Sequence, residues 1–221
     1  MTTKPYKGLA MEGPIANWYA KITLKDIHRH QLMAAKMVEH IPPAGQVLEI
    51  APGPGYFCIE LAKLGQFHII GLDISQSFVE IARKNAAAAG IQAEFRQGDA
   101  AHLPFEKDTF DFIFCQAAFK NFSRPVQAIA EIHRVLRPGG SGVIADLRRD
   151  ASPSEIEREV KGMGLSRLDE MMTRWTFNHV LLKNAYTVDE IHAMVAKTPF
   201  ENYRIDLDGI GFQAWLNKSS L

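Results

Sequence analysis

The run Val47-Leu48-Glu49-Ile50-Ala51-Pro52-Gly53-Pro54-Gly55-Tyr56 takes an apolar strand directly into a glycine turn and then into a helix. In open α/β sheets that junction opens onto the crevice beyond the carboxyl ends of the strands, where ligands bind. Gly53 and Gly55 let the backbone take unusual dihedrals and approach a ligand with no Cβ in the way. A second feature removes much of the ambiguity of a bare Gly-x-Gly. Asp73 closes the next apolar run, twenty residues after Gly53. A carboxylate there can accept hydrogen bonds from both hydroxyls of a ribose, so the pair points to a nucleoside-containing ligand.

The turn also discriminates between nucleoside cofactors. Dinucleotide folds usually carry a third glycine for close helix–strand packing. Counted from Gly53, that position is Cys58. Glu49, at the end of the first strand, would repel a pyrophosphate but suits a ligand bearing an ammonium and a sulfonium. The chemistry leans toward S-adenosylmethionine and away from NAD.

The rest of the chain supplies the architecture. Strands are expected at Gln46–Ile50, Phe67–Asp73, Gln92–Arg96, Phe110–Cys115 and Gly142–Asp146, with helices at Tyr56–Leu64, Ser75–Ala89 and Pro125–Leu136 between them. Such alternation predicts right-handed βαβ units and a mainly parallel sheet with helices on both faces. Ser75 can cap its helix, and Ser77 with Glu80 offers a second capping box. Asn202–Asp208 and Gly211–Asn217 read as an antiparallel hairpin around Gly209, completing a Rossmann-like seven-stranded sheet. We read residues 1–221 as one domain: a helical N-terminal lid (1–44, with Trp18–His40 helical), a cofactor-binding core (45–150), a helical insertion and following helix (151–198), and the hairpin (199–221). The insertion, Pro153–Ala185 with a break at Gly162–Gly164, is placed to roof the sheet's C-terminal edge. Thr187 and Glu190 cap the helix after it.

Composition narrows the partners. Among 221 residues, 25 Lys and Arg balance 25 Asp and Glu. That argues against a broad basic face for nucleic acid, which derives much of its affinity from phosphate neutralisation. Cys58 and Cys115 cannot build a disulfide framework and read as small buried hydrophobes. Met1–Gly13 lacks an apolar signal-like stretch, and no run approaches the ~20 residues needed to span a bilayer, so a cytoplasmic protein is expected. The eight histidines are scattered without metal-ligand spacing, so no metal is expected.

Taken together, the motifs carry a family resemblance. Val47–Tyr56 resembles the first motif of the class I S-adenosylmethionine-dependent methyltransferases, and Gly71–Ser75 their second-strand motif. Gln97–Ala100 followed by Leu103-Pro104-Phe105 is similar to the adenine loop, Phe110–Ile113 to the fourth strand, and His133–Gly140 to the turn before the fifth. The match covers residues 45–147 in order, closest to the small-molecule branch related to ubiquinone and menaquinone C-methyltransferases. The resemblance implies S-adenosylmethionine as cofactor, S-adenosylhomocysteine as product and methyl transfer to a small-molecule acceptor by in-line displacement. It implies that Glu49 orients the methionine ammonium, that Ala51, Gly53 and Gly55 form the backbone cradle, and that Asp73 holds the ribose. Ile74 would pack on the adenine, Asp99 accept from its amino group, the Ala100 backbone meet a ring nitrogen, and Gln116 lie beside the methionine end. Tyr19 would act as a lid over the cofactor. Ala51-Pro52 stands where Gly-Cys is more frequent, and Pro52 removes a donor.

The acceptor side is less legible. The cofactor carries the reactive carbon, so the protein mainly aligns and desolvates. Candidates for a catalytic role are His179, Tyr19 and Lys120. Arg174, Trp175, Phe177 and Asn178 are expected to line the pocket with His179, while Met163, Met171, Met172 and Met194 read as core. Of His28 and His30, two apart on one helix, at least one is expected on the surface. The N-terminal helix could also serve a homodimer. Two other functions stay open: an NAD-linked oxidoreductase on a related fold and a non-catalytic S-adenosylmethionine-binding module. A nucleic-acid or protein methyltransferase is disfavoured, since no Asn/Asp-Pro-Pro-Tyr/Phe run occurs.

Overall fold

The computed structural model describes residues 6–7, 11–164, 166–177 and 181–220. Its centre is a seven-stranded sheet in the order β3-β2-β1-β4-β5-β7-β6. The strands are β1 (Gln46–Ile50), β2 (His68–Asp73), β3 (Glu94–Gln97), β4 (Phe110–Gln116), β5 (Leu136–Leu147), β6 (Asn202–Asp208) and β7 (Gly211–Asn217). β1 to β5 run parallel, and β7 pairs antiparallel with both β5 and β6. The strand order reverses between β1 and β4, which makes their carboxyl ends the topological switch point.

Alternating side chains sort the strands between two apolar layers, as a pleat of period two requires. Val47, Phe112, Phe114, Val143 and Ala145 join one cluster, shared with α2 (Ile27–Met37), α3 (Tyr56–Ala62) and α4 (Gln76–Ala88). Leu48, Ile50, Ile113, Cys115 and Ile144 face the other, with α5 (Pro125–Val135) and α8 (Val188–Val195). The glycine turn is locked from behind. Gly55 has φ +79°, and a Cβ there would lie 2.9 Å from Ala82 Cβ and 3.0 Å from the Phe95 ring. Only glycine satisfies both the dihedral and the packing.

Three local expectations are corrected. The N-terminal lead-in is not one helix from Trp18. It divides into α1 (Gly13–Thr23), a 3-10 turn at Leu24–Asp26, and α2. The fifth strand starts at Leu136, ahead of the Pro138-Gly139-Gly140 turn, because its register against β4 shifts between Phe110 and Phe112 and absorbs those residues as an irregularity. Ser77 forms no capping box with Glu80. The Phe78 amide donates to Ser75 Oγ instead, and Ser77 Oγ accepts from the Gly13 amide.

The insertion forms α6 (Pro153–Gly162) and α7 (Arg167–Thr176). α6 opens with a capping box between Ser152 and Glu155, and α8 with one between Thr187 and Glu190, as expected for the latter. Among the described residues no helix is long and apolar enough to cross a membrane. Nor does any group of three or more His, Cys, Asp or Glu among them stand ready to hold a metal.

Candidate functional site

Strands β1 and β4 both end on left-handed alanines, Ala51 and Ala117, each with φ +57°. Non-glycine residues avoid this region, and such strain concentrates at functional sites. Here the two lie at the adjacent strand ends flanking the switch point, since Ile50 pairs with Cys115. Between them the chain turns through Gly53, whose φ is +53° and whose missing Cβ faces open space.

Asp73 ends β2 beside this turn and is almost fully buried. Its Oδ2 accepts from the Gly53 amide at 3.0 Å, and its Oδ1 accepts from the Ser75 amide at 2.9 Å. Burial pushes the carboxyl up, and the Ser75 and Gly53 amides pull it back. An ionised carboxylate has about four acceptor directions, so two remain for a ribose diol. Ile74, next along the chain, is half-buried.

Glu49, only 4% exposed, sits one register step from the end of β1. Its Oε2 accepts from the Cys58 thiol at 2.9 Å. Burial raises its carboxyl to about 7, against the pull of Cys58's thiol and amide and with a further push from Asp73. At the end of β4, Gln116 carries a buried Oε1 with no hydrogen-bond partner. Buried polar atoms are nearly always satisfied, so this one is an acceptor awaiting a donor. Two carboxylates, an unfilled amide oxygen and a glycine facing empty space are a donor-poor, acceptor-rich set. They fit a cationic amino acid–nucleoside ligand such as S-adenosylmethionine.

Asp99 and Ala100 follow β3 as expected for the adenine loop. Asp99 is not free, however: Oδ1 accepts from the Ala101 amide at 2.9 Å and Oδ2 from Arg124 at 2.6 Å. Arg124 was not anticipated, because nothing in sequence links α5's first turn to this loop.

Residues 6–7 and 11–12 dock at this edge. Tyr6 bridges to Phe122, and the Lys7 amide donates to the Asn121 carbonyl, fastening it to the loop after β4. Further along, Glu12 accepts from the amides of Gln76 and Ser77 at the start of α4, and Ser75 Oγ donates to the Met11 carbonyl. These described residues are thus pinned on both sides of the switch point. Tyr19 stacks edge-on against Phe78, ring centroids 5.7 Å apart. Burial first, then the charges of Asp146 and Asp73, push its phenol up; Tyr6 is raised in the same sense by burial, Asp73 and Tyr19. Both phenols therefore remain protonated at neutral pH.

Lys120 is not a free base either. Its ammonium donates to Asp146 Oδ1 at 2.7 Å and to the Ala117 carbonyl at 2.8 Å. Asp146 also accepts from the amides of Lys120 and Leu147. No sequence motif flagged Asp146, although its place at the end of β5 was a signal of position. His179 and Asn178 lie outside the described residues. Phe177 is a correction: it is buried with Ile156, Val160, Leu182 and Ile210 in a small core between the insertion and the β6–β7 turn, so it does not line an open pocket. The methionines divide. Met194 is core, but Met163, Met171 and Met172 are exposed. Of the two histidines on α2, His28 is exposed, while His30 is half-buried beside Tyr56.

Comparison with known proteins agrees with this geometry. Residues 47–140 match a family model described as a methyltransferase domain. A demethylmenaquinone methyltransferase of Deinococcus radiodurans is 38% identical over 120 residues, 54% of this chain and 49% of that protein. A ubiquinone/menaquinone biosynthesis C-methyltransferase of Roseobacter denitrificans is 35% identical over 130 residues, 57% of this chain and 52% of the other. The chain spans about half the length of these curated relatives. A candidate S-adenosyl-L-methionine-dependent methyltransferase from Methanococcus maripaludis superposes with a TM-score of 0.78 at 22% identity, covering 100% of this chain and 98% of that one. Residues 47–140 thus match a methyltransferase domain, and the whole chain shares the fold of the Methanococcus maripaludis structure.

Proposed function

We propose that the protein transfers a methyl group from S-adenosylmethionine to a small, largely apolar acceptor held between the N-terminal segment and the helical insertion. The observation that carries this reading is the set at the switch point: Asp73 hydrogen-bonded to the amide of the open Gly53 turn, the buried Glu49 one step from the end of β1, and the unpartnered Gln116 Oε1 at the end of β4.

Bound S-adenosylmethionine supplies an electrophilic methyl on a sulfonium. Asp73 holds the ribose hydroxyls, Glu49 attracts the methionine ammonium, and Gln116 Oε1 accepts a donor at the same end. Ile74 packs against the adenine, with Asp99 and the Ala100 backbone at its polar edge. Arg124 keeps Asp99 oriented for that contact. Tyr6 and Tyr19 close the cleft and exclude water, which strengthens every charge interaction inside it. Neither Tyr19 nor Lys120 is set to take a proton, since the phenol is raised and the ammonium is bound to Asp146. These residues therefore align an acceptor, and Tyr19 donates to its polar group.

Two features support an apolar acceptor. The α7 stripe Leu168, Met171 and Met172 is exposed at i, i+3, i+4 spacing. Lys7, Tyr186 and Phe119 meet where the insertion returns, Lys7 donating to the Tyr186 hydroxyl at 2.6 Å and the two rings lying 5.6 Å apart. The relatives named above are a demethylmenaquinone methyltransferase and a ubiquinone/menaquinone biosynthesis C-methyltransferase, so demethylated quinols are the first acceptors to try. With methyl-labelled S-adenosylmethionine, label should pass to at least one member of a panel of demethylquinols and substituted phenols. Transfer only to DNA, RNA or protein would overturn the reading, and so would reduction of NAD with no methyl transfer.

A further inference from the structure

Glu49 is a carboxylate in a place that disfavours charge. It is 4% exposed, on a central strand, with Cys58 as its hydrogen-bond donor. Cys58 has no exposure at all and belongs to the apolar layer with Phe57, Val47 and Phe114. A buried carboxylate needs donors to remain ionised, and a thiol can be one. Cys58 stands five residues after Gly53, where dinucleotide-binding turns carry a packing glycine. We infer that Cys58 is a positioning residue for the cofactor: its thiol, donated across the glycine turn, holds the Glu49 carboxylate in place and favours the charged form that meets the methionine ammonium. The inference rests on the role proposed above for Glu49.

Other groups around Glu49 cannot substitute. Asp73 faces it from β2 and opposes its charge. Cys115 lies on β4, and burial keeps its thiol protonated. Cys115 belongs to the apolar layer on the other side of the sheet from Cys58, and it is the Cys58 thiol that donates to Glu49. Cys58 is itself pushed far up by burial and by Glu49, so it stays a donor through the neutral range.

The test compares wild type with Cys58→Ala, Cys58→Val and Cys58→Ser, each checked for a native circular-dichroism spectrum. Carbon-13-labelled glutamate reports the Glu49 titration in the ligand-free protein, and calorimetry reports S-adenosylhomocysteine affinity from pH 6 to 9. Loss of the donor in Ala or Val should move the Glu49 midpoint up by about one pH unit. With wild type half-ionised near pH 7, affinity there should fall about fivefold, and the gap should close by pH 9, where Glu49 is ionised in both. Ser, which keeps a donor, should stay near wild type in both readouts. An unmoved midpoint in Ala and Val would overturn the inference. So would an affinity loss equal at every pH, which is the signature of packing alone. If Glu49→Gln keeps wild-type affinity while Cys58→Ala still shifts the midpoint, the thiol positions the carboxylate but the proposed role of Glu49 fails.

Discussion

Replacing Asp73 with alanine is expected to lower the affinity for S-adenosylhomocysteine by about 100-fold or more. The estimate takes two hydrogen bonds from ribose hydroxyls to a charged acceptor, each contributing about 1.5 kcal/mol or more. The loss has a second source. Asp73 also accepts from the Gly53 and Ser75 amides, so its removal frees the glycine turn as well as the ribose contact. Asp73→Asn separates the two, because its amide oxygen can still accept from one backbone donor. It should lose less than Asp73→Ala in a calorimetric titration. A folded Asp73→Ala variant that binds at wild-type strength would place the ribose elsewhere.

The second large effect runs in opposite directions for stability and binding. Glu49 has a folded value of about 7 against an ordinary 4.5. Below about pH 4.5 the group is protonated in both folded and unfolded chains and costs nothing. As pH rises from there to 7, the unfolded chain ionises while the folded one does not, so stability is lost, and the loss levels off above 7. The difference amounts to about 3 kcal/mol. Glu49→Gln removes the titration while keeping the shape. The ligand-free variant should therefore be more stable than wild type by about that amount at pH 8, with the advantage shrinking toward pH 5. Its affinity for S-adenosylhomocysteine should fall, because the ammonium loses its counter-charge. Urea unfolding at pH 5, 6 and 8 measures the first effect. A stability difference that does not change with pH would contradict it. The predicted pH-dependent difference would mark a site where binding chemistry is maintained at the expense of the empty fold.

The sequence was most informative where chemistry and local structure coincide. β1, β6 and β7 fall at the expected residues, and β2 and β4 within one, because turn residues bound each apolar run. Gly53, Gly55 and Asp73 are close in sequence and were paired by spacing alone. What escaped notice depends on contacts the chain makes only after folding. Cys58 reads as an ordinary small hydrophobe until the turn brings it back onto Glu49, nine residues earlier. Asp146 and Lys120 meet across 26 positions, and Arg124 reaches Asp99 across 25. The insertion misled for a different reason. Its helices are amphipathic, and the pattern alone cannot say which apolar residues face a small core shared with the β6–β7 turn, as Phe177 does, and which stay exposed, as Met171 and Met172 do.

In the proposed function a nucleoside cofactor lies across the ends of β1, β2, β3 and β4. Amide chemical-shift mapping of the labelled protein during titration with S-adenosylhomocysteine tests that placement most directly. The largest changes should fall on Gly53, Gly55, Ile74, Ala100 and the Gln116 side chain, while the β6–β7 hairpin keeps its spectrum. Saturable shifts confined to other surfaces, or an unchanged spectrum from a folded protein, would contradict the assignment of this site.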